Sequence, residues 1–108
     1  MEGTRYKNTK EFVSAAPKPG EKEKTAIALA YNPGDAAPKI IATGKGYLAE
    51  RIIEKAKEEH IPFYQDNKLA DTLSKLEIGD MIPPELYDVV AEILVFVDDM
   101  DRLRKKLG

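Results

Sequence analysis

The stretch TAIALAYNPGDAAPKIIATGKGYLAERIIEKAKEEHIPFY, Thr25 to Tyr64, reads in order as two strands, a helix and a short third strand. Thr25–Tyr31 alternates larger and smaller apolar side chains, which suits a strand buried on at least one face. Asn32-Pro33-Gly34-Asp35 then turns the chain, because proline fixes φ and glycine accepts positive φ. Pro38–Thr43 resumes as a strand, and so short a loop favours antiparallel pairing with the first. Gly44-Lys45-Gly46 breaks it. A helix follows from about Tyr47 to His60. Leu48, Ile52, Ile53 and Ala56 recur at three- and four-residue steps, which predicts one buried face. Ile61–Tyr64 is the third strand, and a strand–helix–strand connection is expected to cross over right-handed into parallel pairing.

Downstream, Asp66-Asn67 offers an N-cap for a short helix around Lys68–Lys75 that buries Leu69, Ala70 and Leu73. Ile78–Pro84 is a turn, and Pro84 suits the first position of the last helix, where its missing N–H costs nothing. That helix carries Leu86, Val90, Ile93, Val97 and Met100 in a stripe. Val89, Leu94 and Phe96 widen it, which predicts a helix gripped on more than one side. Arg102, Arg104, Lys105 and Lys106 near its end complement the helix dipole. Upstream, residues 1–24 hold few large apolar side chains, two prolines and the charged run Glu21-Lys22-Glu23-Lys24. They read as a flexible tail whose only sticky point is Phe12-Val13. The expected architecture is a single α/β domain over residues 25–108, a small mixed β-sheet of three to four strands packed by three to four helices.

Composition narrows the function. A chain of 108 residues with 43% hydrophobic and 33% charged side chains has the balance of one globular domain. Seventeen basic against nineteen acidic residues leave a net charge of −2, so no overall field recruits nucleic acid or an anionic membrane. The absence of cysteine excludes a disulfide scaffold, a thiolate metal site and a cysteine nucleophile. His60 is the only histidine. The start lacks the pattern of a signal peptide, and apolar runs such as Ile93–Val97 are far too short to span a bilayer. The expectation is a cytoplasmic protein without direct membrane insertion.

Four constellations touch on chemistry. Thr43-Gly44-Lys45-Gly46 runs from strand to helix, where backbone N–H groups can hold a phosphate. It lacks both the Walker pattern and the dinucleotide fingerprint, so a tight turn is the favoured reading. A small-ligand or phosphate-binding enzyme domain using Gly44-Lys45-Gly46 stays as the alternative. Glu50, Glu54 and Glu58 share a helical face, but lysine and arginine flank them and a solvated charged face is expected. His60 closes its helix, where it can serve terminal carbonyls and the dipole; nothing supplies it with a nucleophile. Asn32-Pro33 can in principle cleave, the asparagine amide nitrogen attacking its own carbonyl carbon to form a succinimide. That chemistry needs a strained turn and groups that stabilise the tetrahedral intermediate, and a plain hairpin turn is expected instead. No catalytic residue, metal site or cofactor is predicted.

Taken collinearly, the segments resemble the cytoplasmic domain of the FlhB/YscU family, the substrate-specificity switch of flagellar and type III secretion export machines. The resemblance runs through Thr25–Tyr31, the turn Asn32-Pro33-Gly34, the strand entry Ala37-Pro38, Ile41–Gly46, Leu48–Ile52, Ile61–Tyr64, Leu69-Ala70 and Ile78–Leu94. Family members open this domain with a self-cleaving Asn-Pro-Thr-His motif just before the first of these strands. Here that place holds Glu21-Lys22-Glu23-Lys24, so the autocleavage is not carried over. Nor is Asn32-Pro33 a displaced copy, since the strand that should follow the motif precedes it. The several transmembrane helices of full-length members have no counterpart in this sequence. The resemblance implies a stand-alone relative of the switch domain.

A scaffold retained without its chemistry implies a protein-binding module that influences export or specificity switching. Its expected partners are export-apparatus proteins and export substrates, met in the cytoplasm at the inner face of the membrane. The expected surface combines the small apolar loop Ala36, Ala37 and Pro38 with Leu69, Ala70 and Leu73, since exposed apolar patches commonly mark partner sites. The same spacing also allows Leu69 and Leu73 to be core.

Overall fold

The computed structural model describes residues 9–16 and 24–107. Three strands form from the apolar segments β1 (Lys10–Ala16), β2 (Thr25–Tyr31) and β3 (Lys39–Lys45). Helix α1 (Tyr47–Glu58) leads to the short strand β4 (Phe63–Gln65) and helix α2 (Asn67–Leu73). A 3₁₀ turn at Pro84–Leu86 then feeds the long helix α3 (Tyr87–Leu107). The four strands make one mixed sheet in the order β3-β2-β1-β4. Neighbours β3, β2 and β1 are antiparallel, and β4 runs parallel to β1. The mixed sheet of an α/β domain is therefore as expected.

The tail is not. Lys10–Ala16 lies inside the sheet, hydrogen-bonded to β2 on one side and β4 on the other. A strand between two neighbours and between two helical layers is buried on both faces, so it shows no polar–apolar alternation. Phe12 points into one layer and Val13 into the other, and Val13, Ser14 and Ala15 are likewise all buried. The rest of the expected tail, residues 1–8 and 17–23, lies outside the described residues. Because β1 takes the place beside β2, the crossover through α1 does not pair β4 with β3. The two strands keep the parallel sense expected of the connection but stand at opposite edges.

One face of the sheet carries the larger core. Phe12, Ile27, Leu29 and Ile40 pack there with Leu69, Ala70 and Leu73 from α2 and with Val90, Ile93 and Val97 from α3. The other face is lined by small side chains, Val13, Ala15 and Ala26, against Ala49 and Ala56 of α1. Small residues let that helix lie close. At Gly44 an added Cβ would stand 2.7 Å from the Leu48 Cβ and 3.1 Å from its carbonyl carbon, so only glycine permits the approach.

Close packing also turns α1 about its axis. The expected buried face was Leu48, Ile52, Ile53 and Ala56; the observed one centres on Ala49 and Ala56, with Ile52 and Ile53 half-buried. Leu48 is left 60% exposed. Helix α3 likewise uses one side only. Val90, Ile93 and Val97 are buried, whereas Val95 and Phe96 face outward, so the second grip expected for Phe96 is absent.

Candidate functional site

The β2–β3 turn is a closed hydrogen-bonded corner. The Asp35 N–H donates to the Asn32 carbonyl at 3.0 Å, and the Asn32 N–H donates to the Asp35 carboxylate at 3.1 Å. The Thr9 hydroxyl donates to the Asn32 Oδ1 at 2.7 Å, and Gly34 supplies a φ of 91°. Every one of these bonds serves the corner, as expected for a turn rather than a scissile peptide. Beyond it Ala36 is exposed, while Ala37 and Pro38 are buried against the strand entry. The loop thus presents one small side chain to solvent, not three.

The second half of the expected surface is also core. Leu69, Ala70 and Leu73 are at most 5% exposed and belong to the larger apolar cluster. The Asp66 carboxylate caps their helix by accepting from the Leu69 N–H at 3.1 Å, which turns the 69–70–73 face inward. Five of the six residues assigned to a partner surface therefore hold the domain together.

The Gly44-Lys45-Gly46 turn has little to offer a phosphate. The Gly46 N–H donates to the Lys24 carbonyl at 2.8 Å, and the space over Gly44 is filled by Leu48 and the Ala49 nitrogen. Glu50 pairs with Lys24 at 3.5 Å, and Glu54 and Glu58 are exposed. Among the described residues no three His, Asp or Glu side chains gather closely enough to hold a metal ion.

His60 works through its backbone. At φ 59° it is the left-handed residue after α1, with its N–H donating to the Lys57 carbonyl and the Ile61 N–H reaching the Ala56 carbonyl at 2.8 Å. This is a Schellman closure, completed by the apolar packing of Ile61 near Ala56. At the end of the other long helix, hydrogen bonding from Asp99 and the nearby charge of Asp98 hold the Arg102 guanidinium above its ordinary pKa.

Sequence reasoning missed a cleft of about 620 Å³ between α1 and the α1-facing side of the sheet. Its floor includes Ala28, Ala42 and Thr43; its walls include Ile41, Leu48, Ile52 and Ile78, with Arg51 and Lys55 at the rim. A β-bulge creates it. Ile40 pairs with Leu29 and Ala42 with Ala28, so Ile41 is the extra residue and swings out of the sheet, 48% exposed. The one available signal was Ile40-Ile41, two adjacent large residues in a strand that otherwise alternates.

A sheet covered on both faces by helices, with an apolar cleft and a charged exterior, defines an interaction-type α/β domain. The chain belongs to the FlhB HrpN YscU SpaS Family, whose profile matches residues 23–97. Among relatives, it is 42% identical to the uncharacterized protein YlqH of Bacillus subtilis over 72% of this chain and 85% of that protein. It is 45% identical to the flagellar biosynthetic protein FlhB of Aquifex aeolicus over 67% of this chain but only 21% of FlhB. Among solved structures, the cytoplasmic domain of FlhB from Shewanella putrefaciens superposes with a TM-score of 0.76. That match has 26% identity and covers 90% of this chain and 76% of the other. A mutated EscU C-terminal domain superposes with a TM-score of 0.68 at 30% identity, covering 78% and 83%. The expected kinship with flagellar and type III export proteins holds, and with it the switch-domain fold. The matched profile begins after β1, so the family segment by itself omits one of the sheet's two inner strands.

Proposed function

We propose that the protein is a non-catalytic, protein-binding module of the flagellar or type III export apparatus, one that influences which substrates are exported. One observation carries this reading. The switch-domain scaffold is retained from Thr25 to Val97, yet Glu21-Lys22-Glu23-Lys24 occupies the place of the family's self-cleaving motif. An amide that attacks its own backbone carbonyl needs asparagine at that place, and neither glutamate nor lysine can take its part. The one Asn-Pro pair, Asn32-Pro33, is committed to the β2–β3 corner. Among the described residues no helix is long and apolar enough to cross a membrane, which fits action beside membrane components rather than within them.

In this reading the module meets cytoplasmic components of the export apparatus, or export substrates, at the inner face of the membrane. Ala36, beside the buried pair Ala37-Pro38, is the part of the originally expected surface that remains available. Pull-down with purified cytoplasmic components of the export apparatus is expected to retain at least one of them. Deletion of the gene in a strain that also lacks the resident switch domain is expected to alter flagellar export; unchanged export would remove the proposal. The ligand-binding enzyme alternative loses support from the engaged Gly46 N–H and the filled space over Gly44. Thermal-shift measurement against nucleotides and inorganic phosphate is expected to show no stabilisation.

A further inference from the structure

We infer that the cleft between α1 and β3 is a docking site for a short peptide segment carrying large apolar side chains next to a carboxylate. The cleft lies on the α1 side of the sheet, away from the core face that holds Leu69 and Leu73, and the inference stands without the export reading. Three large side chains line it while remaining well exposed: Ile41 at 48%, Leu48 at 60% and Ile78 at 64%. Isolated exposed leucines and isoleucines are common, but three around one concavity of ligand size are not.

Their exposure has structural causes that no change of rotamer can undo. The bulge expels Ile41 from the strand, and contact with Gly44 fixes the Leu48 Cα–Cβ bond. The cleft is thus a fixed feature of the packing, and its apolar walls favour an apolar occupant.

The charge at its border selects among occupants. Among the described residues Arg51 has no carboxylate partner; its guanidinium donates to the Tyr47 hydroxyl at 3.1 Å and sits 5.9 Å from that ring's centroid. Lys39 and Lys45, exposed at the two ends of β3, have no carboxylate partner either. Lys55 at the rim is already paired with Glu59 at 3.3 Å. The unneutralised charge beside the cleft is therefore positive. A second copy joined edge to edge through antiparallel β3 strands would set Lys39 near Lys45 of its mate, and like charges there oppose pairing. An acidic, apolar segment meets both demands: aliphatic side chains fill the cleft, and the carboxylate takes the Arg51 fork.

The test begins with selection of linear peptides from a random display library on the intact protein. Selected peptides are expected to combine at least two large aliphatic or aromatic residues with Asp or Glu. A synthetic copy of the best peptide is expected to shift amide resonances of Ile41, Leu48, Ile52 and Ile78. Leu48→Glu and Arg51→Glu alter exposed positions, and their thermal midpoints are expected to match the parent. Each is expected to weaken peptide binding about tenfold or more. Replacing the peptide's carboxylate residue by Lys should weaken binding to the parent and restore it to Arg51→Glu. Selection of peptides without acidic residues, resonance shifts confined to α3, or no charge-swap rescue would overturn the inference. So would a concentration-dependent dimer abolished by Leu48→Glu, which would show a second copy in the cleft.

Discussion

Gly44 and His60 show how single residues set the geometry of α1 from its two ends. Gly44 leaves the space into which Leu48 packs, and an added methyl would meet backbone atoms at 3.1 and 3.3 Å that cannot step aside. Gly44→Ala is expected to cost about 2 kcal/mol, the ordinary range for overpacking, read as a lower urea midpoint at constant slope. At the other end His60 holds a left-handed conformation that a β-carbon disfavours. His60→Gly is expected to raise stability by about 1 kcal/mol in the same titration, because the Schellman bonds are made by the backbone and survive the change. The position of His60 at a helix end is legible in the sequence. Its use of φ rather than of the imidazole is not, since glycine is the usual signal for that place.

At the scale of elements, β1 and α2 exchange the roles that their sequences suggest. A segment with one phenylalanine, one valine and two alanines looked too poor in apolar surface to fold, yet it is an inner strand. Phe12→Ala removes a side chain that is 1% exposed and is expected to cost about 3–5 kcal/mol, much of the roughly 5–15 kcal/mol available to a domain. A chain starting at Lys24 keeps the family segment but loses β1. It is expected to give a collapsed amide proton spectrum in place of the dispersed one of the intact protein. Helix α2 goes the other way, from expected surface to core. Leu69→Glu is expected to unfold the domain by circular dichroism, whereas Ala36→Glu, at an exposed position, is expected to leave the melting curve unchanged.

For the molecule as a whole, two helical layers of unequal character enclose the sheet. One is built from large side chains and the other from alanines. The radius of gyration of 13.7 Å is close to the roughly 13 Å usual for about 100 residues, so the apolar cleft is an indentation of a compact body and not a gap between parts. The absence of asparagine before β2 acts at this scale too, because an uncut chain keeps β1 and β2 covalently joined. Intact-mass spectrometry after prolonged incubation at neutral pH is expected to show one species of full mass; fragments cut upstream of Thr25 would contradict the non-catalytic proposal.

By itself the sequence determined the local elements from β2 onward. Alternation in Thr25–Tyr31, the Asn32–Asp35 corner, the Asp66 cap and the Val90, Ile93, Val97 stripe each follow from short-range sterics and hydrogen bonding, which neighbouring residues specify. It also determined the kinship, through segments kept in order, and the loss of the scissile residues. Only the tertiary structure decided that Lys10–Ala16 is a strand, that β4 lies beside β1, and that α1 buries alanines and exposes Leu48. Those outcomes turn on which distant surfaces meet and how closely. An alanine-lined interface leaves little periodic signal, because small side chains define a face by what they let approach rather than by what they bury.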